Sequence, residues 1–235
     1  MAVLRTDREH TVKLYNLTNK EYGMYDDEWK DGDVRIHEPS WIQRYEYEAK
    51  IVADVINEHK LSKAIELGPG PGRLAQSVFD LVNSPLDYTL VDKPHAKEQF
   101  NNNKFRGNFK VSDLNNEFDV SGFDTDYDLI IANDFLEHIA NPSDCLSKAW
   151  DITKDESYII VSVPNWRMGH TFIYRGLFDY DNWIYTMHIH GWTLLNVMES
   201  PLKCNPLPRL SSEEELPQEL LNSWNWYFIG KKIQE

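Results

Sequence analysis

The sequence predicts an α/β fold built on a doubly wound, mostly parallel sheet. Short apolar runs that suit buried strands alternate with amphipathic helical segments from about residue 40 to residue 165. The chain has 235 residues, of which 41% are hydrophobic, so it is long enough for one domain, residues 1–235, with a large buried core. A Rossmann-like sheet carrying one irregular cap after its fifth strand is the architecture that we expect.

The first half of the chain gives the clearest elements. Residues 1–40 are polar, aromatic and charged, and they predict an irregular arm. Residues 40–43, Ser-Trp-Ile-Gln, have the form of a capping box, and helical spacing of apolar residues then continues to about His59. A second helix is marked by Leu74, Val78 and Val82. Predicted strands occupy residues 64–67, 88–91, 109–112 and 127–132.

The second half is less regular. Asn141-Pro142 predicts a helix start, because asparagine caps the first amide groups and proline suits the first helical position. A fifth strand is expected at residues 158–163, a helix around residues 193–198, and an aromatic strand at residues 224–229.

Residues 166–192 interrupt the alternation and predict the cap. Aromatic residues are dense here, with arginines and histidines between them, which favours a pocket for a planar or anionic small molecule. The candidate substrate-binding residues are Trp166, Arg167, His170, Tyr174, Arg175 and Trp183.

Composition excludes several kinds of partner. A formal net charge of −14 repels phosphate backbones and anionic lipid surfaces, so neither nucleic acid nor a membrane is expected. No apolar run has membrane-spanning length, and the first ten residues lack the apolar centre of a signal peptide. Cys145 and Cys204 have neither disulfide-framework nor metal-ligand spacing. We expect a cytoplasmic monomer or homodimer.

The most informative segment is residues 64–73, Ala-Ile-Glu-Leu-Gly-Pro-Gly-Pro-Gly-Arg. A short strand ends near the acidic Glu66, and Gly68, Gly70 and Gly72 precede a helix. Glycines at this spacing allow a sharp turn and the close approach of a ligand to the backbone. The helix that follows offers free N–H groups to that ligand.

Polar residues follow the next strands, where ligands bind in open α/β sheets. Asp92 lies about 20 residues beyond the last glycine of the turn, the spacing at which an acidic residue receives ribose hydroxyls. Asp113 follows the third predicted strand, although Ser-Asp-Leu-Asn is also a common helix-capping string.

The Glu-x-Gly-x-Gly-x-Gly pattern, together with these strands, resembles the class I S-adenosylmethionine-dependent methyltransferases over residues 51–165. The resemblance implies a seven-stranded sheet and S-adenosylmethionine as the cofactor. It implies that Glu66 and the three glycines form the first motif, with the glycines against the methionine and ribose. The other implied contacts are Asp92 with the ribose, Asp113 and Leu114 with the adenine edge, and Asn133 with the methionine portion.

Two later segments resemble a narrower group. Phe135-Leu136-Glu137-His138 is similar to the Leu-Glu-His signature of ubiquinone-biosynthesis-type and related type 11–23 small-molecule methyltransferases, and residues 188–193 are similar to a His-x-x-x-Phe/Trp-Thr element. The leading hypothesis is O-methylation of a small molecule with a histidine general base. His138 is the first candidate, and His188 and His190 are rivals, which would share a face if their segment were extended.

Other interpretations stay open from the sequence. An NAD-type oxidoreductase would also use the glycine turn and Asp92, and a catalytically silent protein could bind S-adenosylmethionine without turnover. Either the pair His188 and His190 or the cluster Asp134, Glu137 and His138 could bind a metal ion. Because neither has diagnostic ligand spacing, no metal is expected.

Overall fold

The computed structural model describes residues 39–114, 118–139, 141–165, 180–200 and 223–232. The described helices are α1 (Pro39–His59), α2 (Arg73–Phe79), α3 (Pro94–Asn102), α4 (Pro142–Asp151) and α5 (Tyr180–Ile189), with one 3-10 turn at Leu136–His138. The described strands are β1 (Lys63–Leu67), β2 (Asp87–Asp92), β3 (Asn108–Val111), β4 (Tyr127–Asn133), β5 (Thr153–Pro164), β6 (Trp192–Glu199) and β7 (Asn225–Lys232).

The strands form one seven-stranded sheet in the order β3-β2-β1-β4-β5-β7-β6. Strands β1 to β5 are parallel, and β7 lies antiparallel between β5 and β6. The order reverses at β1, whose neighbours are β2 and β4, so a crevice opens there at the carboxyl ends of the strands. The predicted Rossmann-like, mostly parallel sheet is confirmed.

Helices cover both faces of the sheet, which is what makes it doubly wound. On one face Ile65 and Ile130 pack with α4 and α5 through Leu146, Trp183 and Met187. The opposite core holds residues of α1, α2 and the strands, among them Val52, Ile56, Leu74, Val78, Leu129, Ile131 and Ile160. Removing this apolar surface from water is the main stabilising contribution to the sheet.

The predicted start of α4 is confirmed. Asn141 accepts a hydrogen bond from the backbone N–H of Asp144 at 3.1 Å, and Pro142 occupies the first turn. The capping box at residues 40–43 is wrong in position, because Pro39 and Ser40 already lie within α1. Residues 1–38 of the predicted arm lie outside the described residues.

The helix predicted around residues 193–198 is wrong, because this segment is the edge strand β6. A register shift between Leu194 and Asn196 interrupts its pairing with β7 and leaves Leu195 53% exposed. The irregularity removes the strict alternation by which a strand is recognised in a sequence. Helical spacing of the apolar residues was therefore misleading.

The structure also differs from the predicted cap in the second half of residues 166–192. Residues 180–189 form α5, and Trp183 and Met187 on this helix are fully buried against the sheet. This part of residues 166–192 is therefore regular and belongs to the core. Residues 166–179 lie outside the described part of the chain. None of the described helices has the length and apolar character that a membrane span needs.

Candidate functional site

The glycine turn joins β1 to α2 at the carboxyl edge of the sheet. All three glycines have left-handed backbones, with φ of +70° at Gly68, +55° at Gly70 and +86° at Gly72. A Cβ atom on Gly68 would lie 2.2 Å from Cδ2 of Phe135, and one on Gly72 would lie 2.9 Å from a methyl group of Leu90. The turn therefore requires glycine for both its backbone conformation and its packing.

Asp92 ends β2 beside this turn. Its Oδ2 accepts a hydrogen bond from the Gly70 N–H at 2.9 Å, and its Oδ1 accepts one from the Lys93 N–H at 2.7 Å. Burial raises the pKa of Asp92, although these two bonds oppose the shift. A carboxylate has about four acceptor positions, so Asp92 keeps capacity for ribose hydroxyls. The structure thus brings together Asp92 and the glycines that the sequence singled out.

Glu66 lies beneath the turn. It is 3% exposed and accepts a hydrogen bond from the Tyr88 hydroxyl group at 3.0 Å. Burial raises the pKa of Glu66 to about 8. The sequence indicated an acidic residue near the strand end, but it did not indicate that Tyr88 of β2 would be its partner.

Asn133, the last residue of β4, has an amide group that is buried and incompletely bonded. Both its Oδ1 and its Nδ2 lack a hydrogen-bond partner among the described residues. A buried amide without partners costs free energy, and a ligand that offers both a donor and an acceptor would satisfy it. The ammonium and carboxylate groups of a methionine moiety have this chemistry, so the site fits the cofactor implied by the resemblance.

Residues after β3 approach the same crevice from the other side. The Ser112 N–H donates to the Asp92 carbonyl at 3.0 Å, which brings the end of β3 beside the end of β2. Asp113 is exposed, whereas Leu114 is buried in the core. Their contacts with an adenine edge stay a prediction.

His138 lies at this edge as well, in the 3-10 turn after β4. Its side chain is 16% exposed, and its Nε2 lies 3.5 Å from Oε1 of the fully buried Glu137. Neither carboxyl oxygen of Glu137 has a hydrogen-bond partner in the described part of the chain, and burial raises the pKa of this group to about 8. A partly accessible imidazole therefore contacts a buried carboxyl group in the turn that follows β4.

The rival histidines lie elsewhere. His188 is in α5 and His190 follows it, so they do not share the face of an extended segment. Trp192, two residues after His190, pairs with Lys232 of β7. The Nζ of Lys232 donates to the Thr153 carbonyl at the start of β5. The segment therefore joins the sheet at its amino edge, away from the glycine turn, which argues against the sequence prediction that either histidine acts as the base.

His190 has a packing role there. Its Nε2 hydrogen-bonds with Ser143 Oγ at 2.6 Å and its Nδ1 with Ser147 Oγ at 3.0 Å, so it joins α5 to α4. Burial lowers its pKa. Trp183, proposed above as a substrate contact, has no exposed surface, and its position favours packing. Trp166, Arg167, His170, Tyr174 and Arg175 lie outside the described residues.

The sequence did not reveal how Asp134 is bound. One of its carboxylate oxygens accepts from Arg44 of α1, and the other accepts from Ser162 and Asn225. The metal site considered for Asp134, Glu137 and His138 is therefore unsupported. Across the described ranges, no group of three or more histidine, cysteine, aspartate or glutamate side chains could hold a metal ion.

With this geometry in place, comparison with known proteins identifies the family. A family model described as a methyltransferase domain matches residues 40–217, about three quarters of the chain. The chain belongs to this methyltransferase family. It is an S-adenosylmethionine-dependent methyltransferase, and the family decides against the NAD-type oxidoreductase. No curated protein matches the chain at a significant level.

Solved structures share the methyltransferase fold. The CurJ carbon methyltransferase is similar over 97% of this chain and 68% of its own, with 16% identity and a TM-score of 0.62. A methyltransferase of Thermotoga maritima covers 93% of this chain and 99% of its own, at 13% identity and a TM-score of 0.60. The Burkholderia thailandensis 1,6-didemethyltoxoflavin N1-methyltransferase, with bound S-adenosylhomocysteine, covers 100% and 93%, at 13% identity and a TM-score of 0.58.

Proposed function

We propose that this methyltransferase acts on a hydroxyl group of a small molecule and that His138 is the general base. The observation that carries the proposal is the position of His138 in the 3-10 turn that follows β4, at the edge where the glycine turn lies. Of the three candidate histidines, it alone combines this edge with a partly exposed side chain.

The division of labour at the site follows from the reaction. S-adenosylmethionine supplies a methyl group that its sulfonium already activates, so the protein has to align the acceptor and remove its proton. The glycine turn, Asp92 and Asn133 would hold the cofactor, because they offer close backbone approach, ribose acceptors and an unsatisfied amide. His138 would take the proton, since the pKa of a histidine lies near neutrality.

Glu137 supports this role for His138. Its buried carboxyl group lies 3.5 Å from the imidazole Nε2, where it can hold the orientation of the ring. The resemblance of Leu136-Glu137-His138 to the ubiquinone-biosynthesis type favours the same assignment.

A small acceptor is favoured by charge. The net charge of −14 disfavours binding of a polyanion such as nucleic acid. The similar Burkholderia thailandensis enzyme was crystallised with a small molecule, 1,6-didemethyltoxoflavin. Known structures with this fold include N- and C-methyltransferases, so the nature of the accepting atom needs a direct test.

The test begins with a screen of phenols, sugars, small carboxylates and amines with a labelled methyl donor. With an acceptor in hand, His138→Ala should lower kcat by about 10²–10⁴-fold, because it removes the general base. The affinity for S-adenosylhomocysteine should stay nearly unchanged. In the wild type, kcat should rise with pH through one group near neutrality, and this rise should disappear in the variant.

His188→Ala is the matched control, because His188 is exposed on α5 near the amino edge. It should keep the wild-type kcat. Full turnover by His138→Ala would contradict the assignment of the base. Methylation of amines alone, with no hydroxyl acceptor, would contradict O-methylation.

A further inference from the structure

Asp134 has an unusual backbone for a residue with a side chain. It directly follows β4 and has a φ of +46°, in the left-handed region that L side chains rarely adopt. Its neighbours are Asn133, with the unsatisfied amide, and Phe135, whose ring lies against Gly68. The direction that the chain takes at Asp134 therefore sets the positions of both.

Several elements hold Asp134 in this conformation. Its Oδ1 accepts hydrogen bonds from Ser162 Oγ of β5, at 2.9 Å, and from Asn225 Nδ2 of β7. Its Oδ2 accepts from the Arg44 guanidinium of α1. The Asp134 N–H donates to Ser162 as well, so the turn is fixed through both backbone and side chain.

The Arg44 guanidinium is itself fixed. Its Nε donates to Glu48 Oε1 at 2.8 Å, and the Tyr227 hydroxyl group donates to the same oxygen at 2.9 Å. Burial alone would lower the pKa of Arg44, but Glu48 and Tyr227 raise it overall, so the side chain is charged. Arg44, Ser162 and Asn225 are each no more than 5% exposed, which limits screening of the Arg44 guanidinium by water.

We propose that Asp134, bound by Arg44, is a positioning residue for methyl transfer, because it holds the turn that places Asn133 against the cofactor. It acts through Asn133 and does not itself contact the cofactor. The inference deepens the proposed function. It rests on that proposal only for the role of His138, which lies farther along the chain from Asp134. A carboxylate is needed because it accepts from three elements at once and balances the charge of Arg44.

Asp134→Asn is the decisive variant. Asparagine tolerates the left-handed region and keeps the size of the side chain, but it loses the charge that Arg44 binds. We expect the dissociation constant of S-adenosylhomocysteine, measured by calorimetry, to rise about tenfold, as expected when charge-assisted hydrogen bonds that fix a site are lost.

Asp128→Asn is the matched control. Asp128 lies just after the start of the same strand, is 2% exposed, accepts hydrogen bonds from Ser62 and Lys63, and forms an ion pair with Lys154, but at the amino edge. This variant should lower the melting temperature of the ligand-free protein by an amount comparable to Asp134→Asn. It should bind S-adenosylhomocysteine as the wild type does. A purely structural role for Asp134 predicts the same binding result for both variants.

Ser162→Ala covers the case in which Asp134→Asn does not fold. It removes one of the bonds to the carboxylate, and the dissociation constant should rise about threefold. Wild-type affinity in both site variants, or equal weakening in Asp128→Asn, would overturn the proposal. Full turnover by His138→Ala would overturn the proposed base but would leave this binding test unaffected, since no acceptor is involved.

Discussion

The amino and carboxyl edges of the sheet differ in the partners of particular buried polar side chains. At the amino edge, Asp128 accepts from the Ser62 N–H at 2.7 Å and the Lys63 N–H at 2.8 Å, and it forms an ion pair with Lys154. Lys232 there donates to the carbonyl groups of Trp150 and Thr153. These bonds connect neighbouring elements and leave the charged groups with protein partners.

At the carboxyl edge, several polar groups lack such partners. The amide of Asn133 and the carboxyl group of Glu137 have no hydrogen bond to any described residue. Three glycines and Asp134 at this edge have left-handed backbones, a conformation that the described chain also adopts at Lys60, Lys104, Gly107, Glu156 and Gly191. Unsatisfied polar groups and strained backbones cost stability and persist where a function requires them. We therefore propose that the carboxyl edge binds the ligand.

Two buried carboxyl groups allow the comparison to be tested by pH. Burial raises the pKa of Glu66 from 4.5 to about 8, so between pH 5 and pH 8 the folded state keeps a proton that the unfolded chain loses. Stability must then fall as pH rises through this window. Relative to the wild type, Glu66→Gln should become more stable from pH 5 to pH 8, by at most about 4 kcal/mol.

Asp128 should behave differently. Burial alone would raise its pKa, but hydrogen bonds from Lys154, Ser62 and Lys63 outweigh burial and lower it. The stability that it contributes is present above its unfolded pKa and is lost only in acid, so Asp128→Asn should cost a nearly constant amount from pH 5 to pH 8. Urea unfolding at four pH values measures both effects, and a pH-independent difference for Glu66→Gln would contradict this interpretation.

The glycine turn offers the next largest effect. Gly68→Val should weaken the binding of S-adenosylhomocysteine by more than about 100-fold, since Cβ would collide with Phe135 and the left-handed backbone excludes a β-branched residue. Gly122→Ala is the control, because a Cβ there meets nothing within 4 Å. Calorimetry on both folded variants measures the affinity for S-adenosylhomocysteine. Binding by Gly68→Val within threefold of the wild type would refute the role of the turn.

A smaller effect is expected at the end of β2. Asp92→Ala should weaken S-adenosylhomocysteine binding by about 1.5–3 kcal/mol, the value of one to two hydrogen bonds from ribose hydroxyls to a charged acceptor. Asp87→Ala provides the comparison, because Asp87 is exposed at the amino end of the same strand. An unchanged dissociation constant for Asp92→Ala would place the ribose elsewhere.

The sequence was sufficient to predict the structure where local chemistry determines it. Buried parallel strands give short apolar runs, and the glycines of the turn need backbone conformations that other residues avoid, so β1 to β5 and the cofactor edge could be predicted. Asn141 and Pro142 gave the start of α4 for the same reason. The sequence reading did not place α3, whose segment is short and mostly polar.

Contacts between residues far apart in the chain could not be predicted from the sequence. The edge strand β6 was mistaken for a helix because its irregular pairing with β7 hides the alternation. His188 and His190 were candidates by motif, and only the pairing of β6 assigns them to the amino edge. The partners of Asp134 lie 28, 90 and 91 positions away along the chain, so no local pattern could indicate them.

Calorimetric titration of wild-type protein and Asn133→Ala with S-adenosylhomocysteine and NAD tests the binding role of the carboxyl edge most directly. We predict that the wild type binds S-adenosylhomocysteine and not NAD, and that Asn133→Ala binds it about tenfold more weakly, because the ligand loses the amide that completes the site. Binding of NAD alone, or wild-type affinity in Asn133→Ala, would contradict the account.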